Sequence, residues 1–305
     1  MGSPAHLGVL LFFVHTCLVL FMSMQRLSNT GGLFSRFYIR RAFRIYPLSI
    51  VCVCTVLAFR MPPDPWPQGP YVFPGLDTIV ANLLLVQNIT GNPSVLSPLW
   101  SLPIEVQMYL VLPFLFVLYT RVCVPSFVIW LGALAAAAVF SLWPFAGNLM
   151  LFAPCFCSGI VAYDLMRKGL PGSSFRILAL SLGLILLAFI GVARFTPMIV
   201  SDASASIIAA IAIGRSGPPS SAIVRIGSHT IAKYSYGIYL AHVPLMWLCF
   251  REGHGIRAFA IFTAAMVLVP LLAYHAIEAP LIRLGMRVSS RRVENRREDL
   301  ILDHR

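Results

Sequence analysis

Three stretches of this 305-residue sequence set groups capable of acid–base or anion-binding chemistry inside otherwise apolar runs. The first, Ser97-Pro-Leu-Trp-Ser-Leu-Pro-Ile-Glu-Val-Gln-Met-Tyr-Leu, places Glu105 roughly one and a half turns into a helix whose start is framed by Pro98 and Pro103. Proline suits a first helical turn, because the N–H it lacks has no intrahelical partner there, and the positive end of the helix dipole favours a nearby carboxylate. Glu105 therefore either caps its helix or, lying deeper than the first exposed donors, faces a desolvated site as a chemical group. The second stretch, Tyr234-Ser-Tyr-Gly-Ile-Tyr-Leu-Ala-His-Val-Pro-Leu, carries His242 near the middle of a span. An imidazole there either shuttles a proton or hydrogen-bonds between helices, while Tyr236 and Tyr239 read as packing and interhelical bonding groups. The third, Arg36-Phe-Tyr-Ile-Arg-Arg-Ala-Phe-Arg-Ile-Tyr-Pro, puts Arg40 and Arg44 on one helical stripe with Arg41 beside them. Guanidinium groups grip phosphate through paired hydrogen bonds, so the cluster suits the phosphates of a nucleotide-bearing donor such as coenzyme A. Anchoring to anionic lipid headgroups is the plainer alternative.

A charge near the centre of a bilayer costs at least about 2.5 to 3.5 kcal/mol on insertion scales, so the other ionisable residues within apolar runs also count as candidates. His15, in Leu11-Phe-Phe-Val-His-Thr-Cys-Leu-Val-Leu, is expected as a packed core histidine and is kept as a candidate base. Asp164 needs no more than an ion pair with Arg167 or Lys168 at a helix end. His275 and Glu278 stand one turn apart, just before Ala279-Pro280, where the helix should kink or stop. The seven cysteines lie mostly in apolar runs as small hydrophobes, and they form neither a disulfide framework nor a metal-ligand spacing.

The elements that must position these groups are transmembrane helices. The sequence is 58% hydrophobic and 11% charged, and its mean hydropathy of +0.82 excludes a water-soluble fold. The surplus charge of +12 is that of basic loops beside spans, so it implies no nucleic-acid partner. Crossing a bilayer takes about 20 apolar residues, and nine such windows recur: Leu7–Met24, Ile45–Phe59, Trp100–Tyr119, Ser126–Phe145, Asn148–Met166, Ile177–Ala193, Val200–Ile213, Tyr234–Phe250 and Ile256–Ile277. The expected fold is all-α, a polytopic transmembrane helix bundle covering residues 1–288, with a charged tail at 289–305. One alternate set of loops holds 19 of the 23 basic residues, which puts the C-terminus in the cytoplasm. Nine spans then leave Met1 outside, so a preceding helix is expected to be missing. Between Arg60 and Leu99 the chain should run extended through its prolines and then lay a surface helix over Leu76–Ile89.

In this order, several stretches resemble the integral-membrane acyltransferase-3 family, which includes bacterial O-antigen, exopolysaccharide and nodulation-factor O-acetyltransferases. Gly8-Val-Leu-Leu-Phe-Phe-Val is similar to that family's second helix, and Arg41-Ala-Phe-Arg-Ile-Tyr-Pro to its R-x-x-R-I-x-P signature. Leu99-Trp-Ser-Leu-Pro-Ile-Glu resembles L-W-S-L-x-x-E, the segment around His242 resembles S-Y-x-I-Y-L-x-H-x-P, and Ile277-Glu-Ala-Pro resembles the closing E-x-P. The resemblance implies transfer of an acyl group, often acetyl, from cytoplasmic acyl-coenzyme A to a hydroxyl of an extracytoplasmic carbohydrate, in a multi-pass protein of the bacterial inner membrane. Arg41 and Arg44 would hold the donor, with no permanently bound cofactor, and Glu105 and His242 would line the site. The family's first helix, with its arginine and histidine, has no counterpart before Leu7, and position 15 is His-Thr where many members have Ser-Gly. A transporter or flippase of the same topology, and an inactive remnant lacking its first helix, are the competing expectations.

Overall fold

A computed structural model of the protein describes residues 4–28, 31–66, 70–142, 148–169, 197–216 and 221–302. Its elements are α1 (Pro4–Ser28), α2 (Leu33–Ala58), α3 (Leu76–Leu83), α4 (Gln87–Thr90), a 3₁₀ turn (Ser97–Trp100), α5 (Ser101–Thr120), α6 (Ser126–Ser141) and α7 (Asn148–Arg167). They continue with α8 (Met198–Gly214), α9 (Ala222–Phe250), α10 (Ile256–Ala273), a π turn (Tyr274–Glu278) and α11 (Ala279–Leu302). The protein is thus all-α, with the long apolar helices of a multi-pass membrane protein.

Five stretches among the described residues are long and apolar enough to cross a membrane: His6–Ser28, Leu33–Ala58, Ser97–Thr120, Leu149–Arg167 and Ile256–Ser290. The expected span at Ile177–Ala193 lies outside the described residues. α6 and α8 are shorter, at 16 and 17 residues. α9 has ample length at 29 residues, yet is not among the five, because Tyr234, Ser235, Tyr236, Tyr239 and His242 dilute its apolar content. A helix this polar at membrane depth keeps those groups only where they bond to something.

The chain divides into two compact units, Met1–Thr30 with Gln107–Arg225, and Gly31–Val106 with Ile226–Arg305. In the first, α7 packs against α1, α6 and α8. Small residues bring these backbones close: a Cβ at Gly159 would stand 2.5 Å from the Val14 carbonyl oxygen, and one at Gly214 2.8 Å from that of Ala162. Phe13 and Phe156 stack at 4.2 Å between ring centroids. Asp164 does more than the expected helix-end pairing. Its carboxylate accepts hydrogen bonds from Tyr119 and Ser126, each at 2.8 Å, and pairs with Lys168 at 2.9 Å, so one side chain joins α5, α6 and α7.

In the second unit α2 packs along α11, with Gly285 admitting the Phe43 ring and the Arg40 Nε donating to Ser289 Oγ at 3.1 Å. The basic segment and the short span expected at Ile45–Phe59 are one continuous 26-residue helix. The single surface helix expected over Leu76–Ile89 is instead two short ones, broken where Leu85 takes a φ of 56°. The reason is burial. Leu85 is fully enclosed, and the enclosed Asn82 donates to the Thr78 and Pro93 carbonyls while accepting from the Val95 N–H, clasping the returning chain.

Candidate active site

The second unit contains Glu105, His242, Arg41 and Arg44, whereas His15 belongs to the first. The 3₁₀ turn with Pro98 at its start leads directly into α5, which makes Glu105 the fifth residue of that helix. Its side chain is 4% exposed and lies within electrostatic reach of Tyr236 and Tyr239. A carboxylate buried this deeply does not serve as a solvent-facing cap.

The proton positions around Tyr239 are dictated by the inability of a carbonyl to donate. The Tyr239 hydroxyl lies 2.7 Å from the Pro98 carbonyl oxygen, so its one proton points there. The Ser101 hydroxyl, 2.6 Å from the same phenolic oxygen, must then be the donor of that second bond. The same reasoning orients His242. Its Nδ1 is 2.6 Å from the Tyr239 carbonyl oxygen and therefore carries a proton, which leaves Nε2 with a lone pair in the neutral ring. His242 is half-buried, one turn of α9 beyond Tyr239.

Tyr236 ties this helix to the arginine-bearing part of α2. Its buried hydroxyl donates to the Ile45 carbonyl at 2.8 Å, and Ile45 is the residue directly after Arg44. Along α2, Arg36 and Arg41 are near enough to Arg40 to act on its charge. Arg41 and Arg44 are both half-buried, and Arg44 lies within electrostatic reach of Glu278 without forming an ion pair within 4.0 Å. A run of guanidinium groups held along one helix suits an anionic ligand.

The structure therefore joins His242, Tyr239 and Ser101 by hydrogen bonds, leaves Glu105 within electrostatic reach of Tyr236 and Tyr239, and puts the arginines on a neighbouring helix that the Tyr236 bond fastens. His15 does not pack into a core. It sits on the exposed stripe of α1 with Gly8, Phe12 and Val19, opposite Leu10, Phe13, Cys17 and Phe21, and it makes no hydrogen bond.

Sequence reasoning gave no site role to three groups. Ser101 was hidden because a serine at a helix start reads as an ordinary first-turn residue. Glu278, expected only as a residue near the end of its span just before a kink, is 1% exposed. Asp202, 2% exposed, pairs with His6 at 2.9 Å, and its presence two residues inside an apolar window was the available signal.

Neither a curated protein nor a solved structure matches this chain. A family model described as an acyltransferase domain matches residues 4–275, which takes in the Glu105, His242 and arginine segments together. With nine-tenths of its length in that match, the chain belongs to the acyltransferase-3 family of membrane acyltransferases.

Proposed function

We propose that the protein transfers an acyl group, acetyl in the simplest case, from acyl-coenzyme A on the cytoplasmic side to a hydroxyl of an extracytoplasmic carbohydrate. The observation that carries this reading is His242, whose proton is committed to the Tyr239 carbonyl through Nδ1, so that Nε2 has the form a general base requires. An alcohol is a poor nucleophile, and attack on a thioester needs a group to take its proton and donors to steady the developing oxyanion.

In this reading the acceptor oxygen attacks the thioester carbonyl as its proton passes to His242 Nε2. The carbon–sulfur bond then breaks, and the leaving thiolate takes up a proton to become the free thiol. Glu105, beside the Tyr236 and Tyr239 hydroxyls, holds the resulting imidazolium and the polar hydroxyl groups in register. Arg41 and Arg44 grip the phosphates of the donor. The C-terminal tail is cytoplasmic on the distribution of basic residues, which puts the arginine-bearing start of α2 on the donor side. Membership of the acyltransferase-3 family supports the chemistry, and the bacterial inner membrane is the setting it implies.

The test is release of free coenzyme A by the purified protein given acetyl-coenzyme A and a glycan acceptor. His242→Ala and Glu105→Ala should each lower the rate by about 10² to 10⁴. Thiol release that neither substitution alters would discredit the assignment.

A further inference from the structure

Glu278 is 1% exposed, and neither of its carboxyl oxygens has a hydrogen-bond partner. Its position is set by the chain just beyond it. Pro280 has no N–H to offer the Ala276 carbonyl, and its ring would press on that carbonyl in an ordinary α-helix. The helix widens instead, and the Ala279 N–H bonds the Tyr274 carbonyl five residues back. The widened turn carries one extra residue, which rotates the succeeding helix by about 100°, so Glu278 faces inward while His275 stays exposed. Gly237 leaves the room: a Cβ there would stand 3.2 Å from the Pro270 Cα and 3.5 Å from Glu278 Oε1.

Arg44 lies within electrostatic reach of this carboxyl group. The two groups interact electrostatically but close no ion pair, and no hydrogen bond holds the Arg44 guanidinium. The Tyr236 hydroxyl, also within electrostatic reach of Glu278, spends its proton on the Ile45 carbonyl. A buried carboxylate left in this condition costs stability, since both its solvation and its hydrogen bonds are lost. A guanidinium and a carboxyl group that both lack hydrogen bonds would be satisfied together by one ligand carrying an anionic group next to an N–H or O–H donor. An acyl-coenzyme A thioester has that order of groups, with phosphates joined to an arm bearing hydroxyl and amide groups.

We propose that Glu278 is a donor-binding residue whose carboxyl group accepts a hydrogen bond from an amide N–H or hydroxyl of the arm joining the phosphates to the thioester, while Arg44 takes a phosphate. This rests on acyl-coenzyme A being the donor. The alternative is a buried acid with a purely structural role, and the two differ in what its removal does.

The experiment uses the full chain in detergent, with Glu278→Ala and Glu278→Gln. Equilibrium binding of coenzyme A should weaken about tenfold or more in Glu278→Ala, with partial recovery in Glu278→Gln, which keeps an acceptor oxygen. In turnover of acetyl-coenzyme A the same factor should appear in KM, with kcat within about threefold of wild type. A phosphorylated alkanethiol acetyl ester, which has no amide or hydroxyl on its arm, should be handled alike by wild type and Glu278→Ala. The melting temperature of both variants should equal or exceed that of wild type, since an unsatisfied buried carboxyl group has been removed. Equal coenzyme A binding by wild type and Glu278→Ala, a loss confined to kcat, or a fall in melting temperature would overturn the assignment of Glu278 alone. A wild-type chain that binds no coenzyme A would bring down the donor reading, and this site with it.

Discussion

The Tyr236 hydroxyl donates a 2.8 Å hydrogen bond to the Ile45 carbonyl, across 191 residues of sequence. It fastens α9, which carries His242, to the turn of α2 that carries Arg44. Ile45 also has its carbonyl within the α2 helical ladder, so Tyr236→Phe leaves no orphaned acceptor and should cost about 1 kcal/mol in stability. The larger effect is expected on alignment of the arginines with the site. Thermal melting and the KM for acetyl-coenzyme A, measured on the same preparation, separate the two: KM should rise several-fold while the melting temperature moves little.

Ser101, Tyr239 and the Pro98 carbonyl form one chain of hydrogen bonds, so their substitutions should not add. Removing the phenolic hydroxyl in Tyr239→Phe leaves Ser101 only its long 3.5 Å bond to the Pro98 carbonyl, and removing the serine hydroxyl leaves Tyr239 still bonded to Pro98 at 2.7 Å. Tyr239→Phe should therefore cost about 1 to 2 kcal/mol, Ser101→Ala less, and the pair about as much as Tyr239→Phe alone. Strict additivity in a double-mutant cycle of melting or activity would contradict this arrangement.

Asp164 and Lys168 form an ion pair, yet the two partners should behave differently when removed. The Asp164 carboxylate also receives the Tyr119 and Ser126 hydroxyls, so Asp164→Ala breaks a junction of three helices and should cost about 2 to 4 kcal/mol. The Lys168 side chain is 59% exposed, and Lys168→Ala should stay within about 0.5 kcal/mol of wild type. Thermal unfolding in detergent would register the contrast, and comparable losses in both would show that the ion pair, not the hydroxyl bonds, is what matters.

Two helical glycines should respond to alanine with opposite sign. At Gly159 a Cβ would meet the Val14 carbonyl oxygen at 2.5 Å and the Cys17 Cβ at 2.6 Å, so Gly159→Ala must push α7 off α1 at a cost of about 1 to 3 kcal/mol. Nothing lies within 4 Å of the Cβ position at Gly132, and alanine there should gain up to about 1 kcal/mol from helix propensity. Melting temperatures of the two variants, shifted down and up respectively, are the check.

The membrane class, the helical architecture and the family were legible in the residue string, because apolar windows about 20 residues long and ordered signature segments are local properties. Glu105, His242 and the arginines could be singled out for the same reason: a polar group in an apolar run is conspicuous without any knowledge of its neighbours. Helix limits were less legible. The arginine segment and its span proved to be one helix, α2, because cationic stems can cover apolar surface, and a hydropathy window ends where the helix does not.

What only the tertiary structure decided was the set of partners. Nothing local says that the carbonyl of Tyr239 fixes the proton of His242 on Nδ1, that Ser101 donates to Tyr239, or that Tyr236 reaches Ile45. These bonds depend on which helix faces cross, and a pattern with a period of 3.6 residues gives a face but not the helix that meets it. His15 and Glu278 depart from their sequence context in opposite directions. Both are ionisable groups in apolar sequence, yet one stands on the outward stripe of α1 and the other is turned inward by a π turn that Pro280 imposes. Burial, and with it the chemistry open to a carboxylate or an imidazole, belongs to the packing and not to the residue.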